Sequence, residues 1–121
     1  MGYIYLASPY SHPDPDTLER RFEAACRGAA ELMEEGNIVF SPIVHSHPVE
    51  KLGMEQTYGW EFWKHQDIEF LKDADKVVVL MLDGWEDSIG VSEEIRIAEA
   101  AGIPVEYRRV GSTPAVSPSI R

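Results

Sequence analysis

Apolar residues in this chain fall into short continuous runs separated by longer stretches with helical spacing. Residues 77–82 are almost wholly apolar and read as a strand buried on both faces. Residues 3–7, 38–43 and 105–110 are three further short runs of strand character. Between the first two, Leu18, Phe22, Ala25, Ala29, Leu32 and Met33 recur at three- and four-residue steps, one apolar helical stripe that Gly36 ends. Residues 58–74 predict a second helix. Residues 88–102 predict a third, stopped by Gly102 and kept from continuing by Pro104. Two stretches show neither period. Residues 8–16 hold three prolines in nine positions and form a stiff loop. Residues 44–57 read as irregular, with Pro42 confining the second strand to an end or an edge.

The order is therefore β-α-β-α-β-α-β. Right-handed crossovers turn this order into a parallel sheet with helices on both faces. One reversal of direction predicts strand order 2-1-3-4: a single-domain, doubly wound α/β fold of flavodoxin- or Rossmann-like type over residues 1–110. Residues 111–121, with Gly, Ser, Thr and two Pro, are expected to form a mobile tail or to drape over a neighbour. The first helix has two candidate starts. Asp14 followed by Pro15 suits a cap and first-turn proline, and Asp16 with Glu19 suits a capping box.

Composition changes the picture at three points. The net charge of −10 argues against a nucleic-acid surface, which needs clustered Lys and Arg. No apolar run reaches the length of a membrane span and no signal peptide is visible, so the expected location is the cytoplasm, with no membrane partner. The single Cys26 falls within a helical pattern and reads as a buried small side chain.

Candidate chemistry sits at the strand ends, where open α/β sheets bind ligands. After the 77–82 strand the chain turns through Gly84 and Gly90 and opens a helix that Asp87 or Ser88 can cap. That helix carries Glu93 and Glu94. Glu94 shares a face with Val91, Ala98 and Ala101 and is the better placed carboxylate. On the preceding helix, Trp60, Trp63, Leu71 and Ala74 form a stripe whose gap is filled by Asp67. A carboxyl on an apolar face is costly unless paired or neutral, so Asp67 either takes a structural hydrogen bond or acts as a protonated acid in a pocket. The loop after strand one, with Ser8 and Tyr10, forms either a wall of the site or a surface crossover without a ligand. His45 and His47 have three readings: loop structure, substrate contact or metal. Two histidines lack the third protein ligand of a catalytic zinc site, and no metal is expected.

Three stretches in this order resemble the nucleoside 2-deoxyribosyltransferase superfamily, including its deoxynucleotide N-glycosidase branch and its small relatives. They are I-Y-L-A-S from Ile4, D-I-E-F-L-K-D-A-D from Asp67, and S-I-G-V-S-E-E-I-R-I-A from Ser88. The resemblance implies that Glu94 is the nucleophile attacking the anomeric carbon and Asp67 the proton donor to the leaving base. It implies that Tyr5 orients the nucleophile and that Ser88 contacts substrate; Ser8, Tyr10, His45, Asp87 and Gly90 are further candidate substrate-binding residues by their own positions. The implied substrate is a small nucleoside or nucleotide, with no cofactor. Arg96 stands where the family often has Gly, and Ser8-Pro9-Tyr10-Ser11 replaces the Gly- and Arg-rich phosphate loop of the glycosidase branch.

Two other readings compete with transfer or hydrolysis of an N-glycosidic bond. The same crevice could hold a nucleotide without turnover, or hydrolyse another nucleotide-like glycoside with His45 or His47 as base. Aromatics at 58, 60, 62, 63 and 70 surround more than one side of the second helix, which predicts a homo-oligomer.

Overall fold

The computed structural model describes residues 2–110. The expectations for residues 111–121 lie outside the described residues. Four parallel strands, β1 (Ile4–Ala7), β2 (Val39–Phe40), β3 (Lys76–Leu80) and β4 (Val105–Arg108), form one sheet ordered β2-β1-β3-β4. β1 and β3 pair in register from Ile4 opposite Lys76 to Ala7 opposite Val79.

The two-residue period of the central strands divides the core into two layers. Ile4, Leu6, Val78 and Leu80 face α1 (Pro15–Glu34) and pack against Ala29 and Leu32. Tyr5, Ala7, Val77 and Val79 face the other way. They meet Leu71 of α3 (Trp60–Leu71), and Val91 and Ala98 of α4 (Ile89–Ala100). Both faces of the sheet are thus covered, which is why β3 carries no polar alternation. α1 sits close to the sheet because Gly28 has no side chain; a Cβ there would fall 2.6 Å from Leu80 Cδ1. Its start is settled by Asp14, whose carboxyl accepts from the Asp16 amide at 3.3 Å and the Thr17 hydroxyl at 3.0 Å, with Pro15 in the first turn.

One stretch departs from the expectation. Residues 44–57 are largely helical: α2 runs Pro42–Gly53. Pro42 is not the end of a strand but the first residue of this helix, where a proline loses no hydrogen bond. Ser41 caps it, accepting from the Val44 amide at 3.2 Å. Pro48 lies inside α2, where it has no N–H to offer the preceding turn. These prolines, and an apolar pattern without a clear stripe, hid the helix. Cys26 is half-buried rather than fully buried. No helix among the described residues is long and apolar enough to cross a membrane.

Candidate active site

The chain leaves β1 for β2 on one side and β3 on the other, so a crevice opens at the carboxyl ends of β1 and β3. A cavity of about 500 Å³ lies there. Each wall comes from a different element: the β1 loop, α1, α2, the start of α3, and the turn into α4.

α4 supplies the deepest group. The Ser88 side chain accepts from the Val91 amide at 3.2 Å and starts the helix, so Ser88, not Asp87, is the cap. Glu94 follows one and a half turns later, 4% exposed, on the face it shares with Val91 and Ala98. The Tyr5 hydroxyl, fully buried on β1, donates to Glu94 Oε2. Burial raises the Tyr5 phenol well above its ordinary value, and the Glu94 and Asp67 charges push it the same way, so the hydroxyl keeps its proton. Gly90 allows α3 to approach α4; a Cβ there would lie 3.3 Å from the Trp60 ring.

α3 supplies the second carboxyl. Asp67 is 7% exposed, and among the described residues its buried Oδ1 has no hydrogen-bond partner. Of the two readings of its place on the apolar stripe, the structural hydrogen bond is not seen; the group lines the cavity instead. Burial raises its carboxyl to about 7. Burial likewise raises Glu94 to about 8; the Tyr5 hydrogen bond lowers it and the Asp67 charge raises it again. The two acids therefore titrate as a coupled pair. Among the described residues, Tyr5 is the one partner favouring an ionised carboxylate, and it serves Glu94. The Tyr5 bond does not outweigh burial: Glu94, at about 8, holds its proton more tightly than Asp67, at about 7, so the last proton of the pair rests on Glu94.

Ser8, Tyr10, Asp87, Ser88 and Gly90 all line the cavity together with Asp67 and Glu94. Ser8 Oγ, like Asp67 Oδ1, is buried without a partner. Tyr5 lies behind Glu94. His45 is the exception. It points to solvent from α2, its ring 6.0 Å from Phe40, and takes no part in the cavity wall. Its neighbour in the pattern, His47, is buried on the helix face that does line the cavity.

Sequence reasoning overlooked Arg21, Glu50 and the inward use of Trp60 and Trp63. Arg21 is the only Lys or Arg side chain on the cavity wall among the described residues. Its guanidinium donates to the backbone carbonyls of Ser11 at 3.1 Å and Asp83 at 3.2 Å. Glu50 is 4% exposed and could be found only once its segment was known to be helical. Among the described residues, no group of three or more His, Cys, Asp or Glu is arranged to hold a metal ion.

The sequence matches a family described as a domain of unknown function, DUF1937, over residues 2–109. The chain belongs to this family. The domain's fold is also similar to a solved structure of the 2-deoxyribosyltransferase from the psychrotolerant bacterium Bacillus psychrosaccharolyticus. The two are 26% identical, with a TM-score of 0.57, over 95% of this chain and 77% of the other. That enzyme is described as a biocatalyst for nucleoside synthesis. Comparison with curated proteins gives no match.

Proposed function

We propose that this domain breaks the N-glycosidic bond of a nucleoside or nucleotide and passes the sugar to water or to a second base. The observation that carries the reading is the pairing of a buried, Tyr5-bonded Glu94 with a buried, unpartnered Asp67 on one cavity. Similarity to a 2-deoxyribosyltransferase at 26% identity supports it.

Glu94, as carboxylate, attacks C1′ of the sugar while the bond from C1′ to the base nitrogen breaks through an oxocarbenium-like state. The bonding pair goes to the base nitrogen, and Asp67 gives that nitrogen its proton. Water or a second base then attacks C1′, hands its proton to the Asp67 carboxylate and releases Glu94. The Tyr5 hydroxyl holds Glu94 in line throughout. A developing positive charge beside Glu94 strengthens the ionised form that Tyr5 already favours, offsetting the effect of burial. The test is incubation with a panel of deoxynucleosides and their monophosphates, read by release of free base. Release from at least one is expected; none across the panel would remove the reading.

The aromatic positions around α3 further support self-association. Phe62 and Phe70 are 45% and 40% exposed, each stacked on one neighbour, Tyr58 at 4.1 Å and Phe40 at 4.2 Å. We propose that a second copy covers this surface. Light scattering should give at least twice the chain mass; the monomer mass at every concentration would refute it.

A further inference from the structure

A second polar cluster lines the same cavity and has no part in the bond-breaking steps. Glu19 as a carboxylate can only accept, so His47 Nε2, 2.8 Å from it, carries a proton. In a singly protonated ring Nδ1 then accepts, and the Tyr10 hydroxyl 2.6 Å away donates to it. Phe22 is stacked on the imidazole at 4.5 Å and holds its plane. With its one proton committed to His47, the Tyr10 oxygen has only lone pairs to offer.

Glu50 stands beside it. Its Oε2 accepts two N–H bonds, from the Tyr58 amide at 2.9 Å and the Trp63 indole at 3.1 Å. Its Oε1 is reached by the Tyr10 hydroxyl only at 3.5 Å, a long and weak O–H···O bond beside the 2.6 Å contact to His47. Two neighbouring oxygens thus face the cavity as acceptors without a good donor between them. Such a wall attracts an amino group and repels a carbonyl oxygen.

We infer that Tyr10 and Glu50 read the exocyclic group of the substrate's base, selecting a 6-aminopurine or 4-aminopyrimidine over its oxo counterpart. This rests on the glycosyl-transfer reading. Trp63, bonded to Glu50, and Asp67 are four residues apart on α3, a rise of about 6 Å. That spacing is comparable with the width of a planar base. A base whose ring nitrogen meets Asp67 therefore presents its far edge to the acceptor pair, with Trp60 and Trp63 offering aromatic surface to its face. His47 and Glu19 are positioning residues that keep Tyr10 an acceptor.

The test uses calorimetric binding of two matched pairs to the full chain: deoxyadenosine against deoxyinosine, and deoxycytidine against deoxyuridine. The amino member of each pair should bind at least about tenfold tighter, because a site built for a donor rejects an analogue lacking it. Glu50→Gln keeps an oxygen for Tyr58 and Trp63 and places an amide NH2 where Oε1 was. Its preference should fall to parity or reverse toward the oxo member. Tyr10→Phe keeps the ring and loses the acceptor, and its preference should fall several-fold while the chain stays folded at the assay temperature. A merely structural role would weaken both members of a pair equally and leave their ratio intact. Equal binding by the wild type, or an unaltered ratio in both variants, overturns the inference. Amino-selective binding without base release removes the glycosyl-transfer reading and leaves the acceptor pair standing. Base release without amino preference does the reverse. Failure to bind any of the four, as nucleoside or as 5′-monophosphate, at millimolar concentration overturns both.

Discussion

Glu94→Gln is expected to lower turnover of any accepted nucleoside by at least about a thousandfold while leaving ligand binding within a few-fold of wild type. The amide keeps the shape of the side chain and still accepts from the Tyr5 hydroxyl, so the cavity wall is preserved. What is lost is the anionic oxygen that captures C1′. Neighbouring Glu93 provides the control. It is engaged at the surface by Arg96, at 2.8 Å from Nη2, and its carboxyl is lowered by that hydrogen bond. Glu93→Gln should leave turnover nearly unchanged. Single-turnover kinetics on both variants separates binding from chemistry. Activity kept in Glu94→Gln but lost in Glu93→Gln would shift the nucleophile by one position on α4. Activity kept in both would assign the capture step elsewhere.

The second large effect concerns pH. Asp67 and Glu94 have ordinary values of 3.8 and 4.5, and burial raises them to about 7 and about 8 in the folded chain. Because the folded values lie above the unfolded ones, the unfolded chain releases these protons first as pH rises. The stability they contribute is complete below about pH 4 and is lost as pH rises through about 7 and 8. A tenfold difference in proton affinity between the folded and unfolded chain is worth about 1.4 kcal/mol, so the pair's loss is on the order of several kcal/mol. Asp67→Asn and Glu94→Gln each remove one of the two titrations. Both variants should melt several degrees above wild type at pH 8.5, and the difference should shrink toward pH 4. Parallel melting-temperature curves from acid to alkali would show that the two acids are not held neutral by burial. In the wild type the same titration limits catalysis. Turnover requires Asp67 protonated and Glu94 ionised, so it should peak between about pH 7 and 8 and fall on either side, on the alkaline side most steeply for bases that leave poorly.

Asp67 could be singled out before any coordinates because it breaks an apolar stripe on α3, and Glu94 because it shares a face with Val91 and Ala98. Both inferences depend only on helical period, a local property of the chain. The strand order likewise follows from short apolar runs alternating with helices, and from the handedness of parallel crossovers. The Tyr5 to Glu94 hydrogen bond was expected only through family resemblance, since those residues are 89 positions apart.

The α2 wall was beyond local reading. Pro42 and Pro48 suggest broken structure until the fold places one at a helix start and accommodates the other inside it. With the segment read as irregular, no face could be assigned, and His45 rather than His47 was expected among the substrate-binding residues. In the helix, Ile43, Ser46, His47 and Glu50 fall on one buried face and His45 falls outside it. Glu50 is held inside by donors 8 and 13 residues downstream, and His47 by Glu19 from α1, 28 residues upstream. The sequence by itself determined the layered fold and the two carboxyls, because periodicity and the cost of burying charge are properties of each segment. Only the tertiary structure decided the acceptor wall, because its hydrogen bonds join segments whose meeting no local pattern encodes.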